Sequence, residues 1–151
     1  MGAPSAIGWL FVIALYAQIL LGALMAGSGA ARAYSDWPMI GHEWLPSTYA
    51  QLRPFWRNLV ENHATIQFDH RTLGYIVALL ALVLGVGALA FGRGAARRLA
   101  LATFAVAVLQ AALGIHTVMT GAPLDLSLTH QGGAIVLWLL AIATMRANAM
   151  R

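Results

Sequence analysis

Cysteine is absent from this 151-residue chain, which excludes disulfides, thiolate zinc sites, iron–sulfur clusters and a cysteine nucleophile. Lysine is absent too, so all nine basic residues are arginine. Charge of either sign is scarce: 9% of residues are charged and 60% apolar, where a soluble domain carries about 25% charged residues. A water-facing surface cannot be built from that composition. The few charges also avoid long stretches, with none before Arg32, none between Arg71 and Arg93, and only Asp125 between Arg98 and Arg146. The formal charge of +4 comes from arginines at segment ends, which marks membrane topology rather than nucleic-acid binding.

What is present is apolar sequence in lengths that suit a bilayer, about 20 residues per helix. The first span, residues 6–27, carries no charge, exceeds a signal-peptide core in length, and has no arginine before it. A second runs over about 64–91 behind the polar entrance Gln67, Asp69, His70, Arg71, a third over about 99–119, and a fourth over 127–145. Backbone amides in hydrocarbon must be paired within their own segment, so the expected fold is all-α, a polytopic four-helix membrane bundle forming one domain over 1–151.

Arg93, Arg97 and Arg98 crowd the connection between spans two and three, and Arg146 and Arg151 follow span four. The positive-inside rule then places both termini on the cytoplasmic or matrix side, in a bacterial cell membrane or the mitochondrial inner membrane. The long segment 28–63 and the short connection 120–126 face outward. The outer segment is rich in aromatics (Tyr34, Trp37, Trp44, Tyr49, Phe55, Trp56) and punctuated by Pro38, Pro46 and Pro54. That composition suits either a helix lying at the headgroup level or a cap over a ligand beneath it.

Gln18, Leu21 and Gly22 in span one form QxxLG, and Gln110, Leu113 and Gly114 repeat it in span three. Each is followed by a span with a histidine near its outer end, His70 and His130, so the four spans read as two similar hairpins. Spans two and four run in the same direction, and both imidazoles fall at one outer depth. A neutral imidazole from each of two helices can clamp a heme iron between them, and Gly74, Gly132 and Gly133 are small enough to leave room for a flat macrocycle. Helix-to-helix hydrogen bonding is the alternative for each histidine taken alone. Zinc would need more protein ligands than this pair supplies.

Other polar groups divide between the two readings. Arg71 suits a heme propionate through its guanidinium fork, and Gln67, three residues before His70, shares nearly the same face. Asp69 is a candidate for an ion pair with Arg71 or a neighbour, or for a hydrogen bond behind a ligand. Gln110 and Gln18 lie deeper, as helix-to-helix bonds or cofactor contacts, and His116 lies at the outer end of span three, as an interfacial residue or a wall of the cavity. His42 and His63 sit in the outer segment, and neither is a leading ligand.

The motifs QILLGALMAG, IQFDHRTLG, LQAALGIHTV and LTHQGGA, in that order, with WPMIGHEWLP in the outer segment, resemble the carboxy-terminal half of the heme A synthase family over nearly the whole chain. The resemblance implies an eight-helix membrane protein of two similar four-helix halves, of which this chain is similar to one. Members convert heme O to heme A by oxidising the methyl group at porphyrin position eight, for cytochrome oxidase assembly. It further implies a heme b held by His70 and His130, with heme O and heme A as substrate and product. Substrate chemistry falls mainly to the amino-terminal half, whose glutamate three residues before its own helix-two histidine is matched here by Gln67.

None of this chain's protein groups alone removes hydrogen from an unactivated methyl group, and two axial imidazoles leave an iron no open position. The resemblance therefore implies an oxidoreductase component that relays electrons to an acceptor or supports the site, completed by a second half. That half is expected as a separate subunit, a second copy in a homo-oligomer, or a longer precursor preceding Met1. A small membrane cytochrome b that only carries electrons, and a four-helix assembly subunit without cofactor, are the readings that the histidines alone leave open.

Overall fold

The computed structural model describes residues 6–150, and within them the protein is all-α. Helices α1 (Ala6–Ser28), α2 (His63–Phe91), α3 (Gly94–Met119) and α4 (Leu124–Ala149) are each long and apolar enough to cross a membrane. Their 23 to 29 residues span at least about 34 Å, more than the roughly 30 Å hydrocarbon core. Large apolar side chains such as Ile13, Leu20, Leu79, Val86, Leu109 and Leu139 remain exposed on the outside of the bundle, as a lipid-facing surface requires.

Two helix boundaries differ from the expectation, for local reasons. α3 begins at Gly94 rather than near Leu99, so Arg97 and Arg98 sit on its first turns instead of in the connection. Their long side chains reach water from a helix end, and charge there does not stop a helix. α4 begins at Leu124 rather than Ser127 because Pro123, at φ −63°, already has the dihedral that opens a helix, and Asp125 favours the positive end of the dipole. α4 also runs on to Ala149, carrying Arg146 in its last turn; Arg151 lies outside the described residues.

The helices pack in a ring, α1 on α2, α2 on α3, α3 on α4 and α4 on α1. α2 and α4 therefore occupy one diagonal and face each other across the interior. Without a hydrophobic force between helices in lipid, close approach depends on small residues and buried hydrogen bonds. Ala81, Ala107 and Ala141 serve the first purpose. The hydroxyls of Thr103 and Thr144, 3.0 Å apart and buried, bridge α3 and α4 near the inner end. Gly85 marks a close contact between α2 and α3: a Cβ there would lie 2.8 Å from Phe104 Cγ and 3.0 Å from its Cβ. Those atoms lie next to the backbone and cannot swing away. Overpacking of that kind costs about 1–3 kcal/mol, against up to about 1 kcal/mol returned by helix propensity. Gly85→Ala is expected to lower the midpoint of thermal denaturation in detergent.

Buried apolar side chains form two separate clusters. The larger, around Phe11, Leu15, Val77, Ala107 and Leu137, fills the inner part of the bundle, and a smaller one of Met25, Ala30, Ile66 and Val118 closes the outer end. Along α2, His70 falls between Ile66 of the outer cluster and Val77 of the inner one, and along α3 Gln110 and Gly114 fall between Ala107 and Val118. A polar layer separates the two halves of the core.

The outer segment is neither an interfacial helix nor a flexible linker. It folds as turns, with 3₁₀ turns at Ala30–Arg32 and Phe55–Leu59, around Asn58, which is fully buried. Asn58 Nδ2 donates to the carbonyls of Leu52 and Phe55, and its Oδ1 accepts from Leu52 N at 2.8 Å. Asn62 then caps α2, accepting from the amides of Ala64 and Thr65. Trp44, Phe55 and Trp56 point outward, while Tyr49 stacks edge-on against Phe68 and Trp37 donates from its indole to the Tyr75 hydroxyl.

Candidate functional site

The polar layer is built twice, once in each hairpin. In the first, the imidazole of His70 on α2 lies over Gly22 on α1: a Cβ at Gly22 would sit 3.3 Å from His70 Cε1. In the second, His130 on α4 lies over Gly114 on α3, where a Cβ would come within 2.9 Å of Cε1 and 3.2 Å of Nε2. The glutamines repeat the arrangement in reverse. The Gln18 amide packs on Gly74 and the Gln110 amide on Gly133, the latter so closely that a Cβ would overlap it. The QxxLG repeat thus has a structural meaning: its glycine seats the histidine of the next helix, and its glutamine is seated by a glycine of that helix. Gly74 and Gly133 make room for amides rather than directly for a macrocycle, and Gly132 faces open space.

The site's polar atoms are incompletely partnered. Gln18 Nε2 lies 3.3 Å from His70 Nε2, and Gln110 Nε2 donates to the His130 carbonyl at 3.2 Å. Nδ1 of His70, Nδ1 of His130 and both glutamine Oε1 atoms are buried without a hydrogen-bond partner. Leaving a buried polar atom unpaired costs about 1–3 kcal/mol, and four such atoms fall in this one layer. Among the described residues no group of three or more histidine, cysteine, aspartate or glutamate side chains converges. Two neutral imidazoles without carboxylates suit a heme iron, whose macrocycle already fills four positions, and fall short of a zinc site.

Gln67 and Arg71 direct their polar atoms elsewhere, to the outer segment. Gln67 is fully buried, donates to the carbonyls of Ala30 and Tyr34, and accepts from Arg71 Nη2 at 2.8 Å. Arg71 Nη1 donates to the Met39 carbonyl at 2.7 Å. Asp69 accepts from the Tyr49 hydroxyl at 3.1 Å instead of pairing with Arg71. Thr65 completes the set by accepting from Ala50 N. Burial, then the nearby Asp69 carboxylate, pushes the Tyr49 hydroxyl above its ordinary value, which keeps it a donor. His116 is exposed at the outer end of α3 and is not brought into the polar layer; His63 and His42 are exposed as well. Trp138, whose buried indole nitrogen also lacks a partner, escaped the sequence reading because a tryptophan in an apolar span carries no local signal.

Two expected results follow. Gln67→Leu strands two carbonyls and a guanidinium, and should loosen the outer segment by about 1–3 kcal/mol, read as faster limited proteolysis within residues 29–62. The second concerns pH. Burial raises the Asp36 carboxyl, but the amides of His42 and Gly41 outweigh it and hold the group below its ordinary 3.8. A depressed folded value means that this stabilisation is complete above pH 3.8 and is lost as pH falls through the folded value. Proteolysis of the 36–42 turn should therefore accelerate only in strong acid, and Asp36→Asn should remove that acid dependence.

Comparison with known proteins adds a second line of evidence. The family model described as cytochrome oxidase assembly protein matches residues 2–142. The chain is 42% identical over 127 residues to the heme A synthase of Roseobacter denitrificans, covering 84% of this chain and 33% of that protein. It is 46% identical over 129 residues to that of Rhodopseudomonas palustris strain TIE-1, covering 83% and 35%. It is 42% identical over 150 residues to that of Caulobacter vibrioides, covering 95% and 42%. The chain thus spans about a third to two-fifths of the length of these relatives. No solved structure matches it. With nearly its whole length matched, the chain belongs to the cytochrome oxidase assembly protein family.

Proposed function

We propose that this chain is the heme b-bearing four-helix half of a heme A synthase, supporting oxidation of the heme O methyl group to the formyl group of heme A. The observation that carries the proposal is the polar layer: one glycine-seated imidazole from each of two helices on the bundle's diagonal, each with a buried nitrogen that no protein group satisfies. Similarity to heme A synthases over most of this chain, but a minority of theirs, supports reading it as one half of an eight-helix arrangement. Residues 1–151 act as one heme-binding domain whose partner is a second half, supplied by another subunit, a second copy or a longer polypeptide.

His70 and His130 hold the iron, with α1 and α3 fixing the ring planes through Gly22 and Gly114. Gln110 anchors the α4 backbone beside His130, and Arg71 with Gln67 ties the outer segment to α2 next to His70. Bound heme would supply a one-electron couple, and a heme held by His70 and His130 would suit electron transfer. Both termini lie on the cytoplasmic or matrix side, placing the layer toward the outer leaflet.

The test is coexpression in a host that makes heme O. The chain alone should bind heme b and yield no heme A, and an added amino-terminal half of a relative should restore heme A, measured by extraction and chromatography. Heme b bound with no heme A under either condition would favour the cytochrome that only carries electrons.

A further inference from the structure

Within the repeated polar layer the two glutamines make different contacts. Gln110 spends its amide N–H on the backbone carbonyl of His130 and leaves that ring without a side-chain partner. Gln18 places its amide nitrogen 3.3 Å from Nε2 of the His70 ring itself, while His70 Nδ1 is buried and unpartnered. In a neutral imidazole whose Nδ1 carries the proton, Nε2 presents a single lone pair. An amide N–H that donates to that lone pair occupies the electrons a metal would take. The Gln18 amide has this position because Gly74 leaves it room: a Cβ there would lie 3.1 Å from its nitrogen.

We infer that Gln18 is a positioning residue that makes His70 the weaker and exchangeable of the two axial ligands, leaving His130 the firm one. The inference rests on the bis-histidine reading above. The polar layer then has a side that opens, so a small ligand reaches the iron by displacing His70 and not His130. An amide donor of this kind is worth about 1 kcal/mol net, or about fivefold in the displacement equilibrium.

The experiment uses the heme-loaded full chain in detergent, reduced, and titrated with carbon monoxide as the probe. Gln18→Leu removes the donor and should weaken carbon monoxide uptake about fivefold. Gln18→Glu supplies a carboxylate that favours the Nε2–H tautomer, again withdrawing the lone pair, and should strengthen uptake. Gly132→Ala, where nothing lies within 4 Å of the added Cβ, should stay within about twofold of the parent. Opposite shifts from two variants at one position exclude general loosening of the fold as their cause. Low-spin heme in every variant with the same carbon monoxide affinity would overturn the inference and leave the ligand assignment standing. Failure of the parent chain to form low-spin heme would overturn both.

Discussion

Alanine at His70 or at His130 should each abolish low-spin heme binding, lowering the heme recovered with purified protein more than about tenfold. That factor is the smaller end of what even indirect partners of a metal ligand are worth, and an axial nitrogen contributes more. The effect should be equal in kind for the two residues, because each rests on a glycine of the preceding helix at the same level of the bundle. Folding should survive both changes: the apolar clusters on either side of the layer contain neither ring, and truncation removes a buried unpaired nitrogen. Oxidised and reduced visible spectra, with circular dichroism to confirm retained helix, provide the measurement. An unaltered heme band in both variants would remove the clamp from the account.

The second large effect belongs to a residue with no chemistry of its own. Gly114→Ala puts a methyl group 2.9 Å from His130 Cε1 and 3.2 Å from Nε2, closer than real contacts allow, so the ring must turn or α3 must move. A ligand ring displaced by a fraction of an ångström no longer aims its lone pair at the iron, and heme occupancy should fall about tenfold. Gly22→Ala, where the nearest ring atom is 3.3 Å away, should produce a smaller loss of the same kind. Gly132→Ala is the control: nothing lies within 4 Å of the added Cβ, and alanine gains up to about 1 kcal/mol of helix propensity. Helix content, heme content and thermal midpoint measured on the three variants separate loss of ring seating from loss of fold.

The parts of this molecule legible in its sequence are those written in local composition. Four uncharged apolar stretches specify four helices because lipid offers backbone amides no other partner, and the shared direction of spans two and four is enough to expect His70 and His130 at one depth. Boundaries were less legible where polar residues continue a helix into water, as Arg97 and Arg98 do on α3. The glycines of QxxLG were visible as a repeat, but their pairing with particular rings depends on how the helices are rotated, which hydropathy does not encode. Least legible were the partners of Gln67, Asp69 and Arg71. Their proximity to His70 in sequence pointed them at the cofactor, whereas they bind Ala30, Tyr34, Tyr49 and Met39. Those contacts come from a folded outer segment, and its turns are held by long-range hydrogen bonds that leave no periodic trace.

The outer segment also explains why the site lies where it does. Four alternate residues of α2, from Thr65 to Arg71, are bonded to it, so the turn of helix that carries His70 is fixed from outside as well as by α1. Among the described residues no such hydrogen-bonded cover reaches His130, which is seated by Gly114 and flanked by Gln110. The two histidines thus have unequal surroundings within a repeated framework.

Electron paramagnetic resonance of the oxidised, heme-loaded chain tests the central claim most directly, since the ferric spin state reports the axial ligands themselves. Two imidazoles give a low-spin signal, and labelling histidine with ¹⁵N should alter the nitrogen couplings from both axial positions. A high-spin signal, or a low-spin one in which only a single axial nitrogen responds to the label, would contradict the assignment of His70 and His130 as the pair.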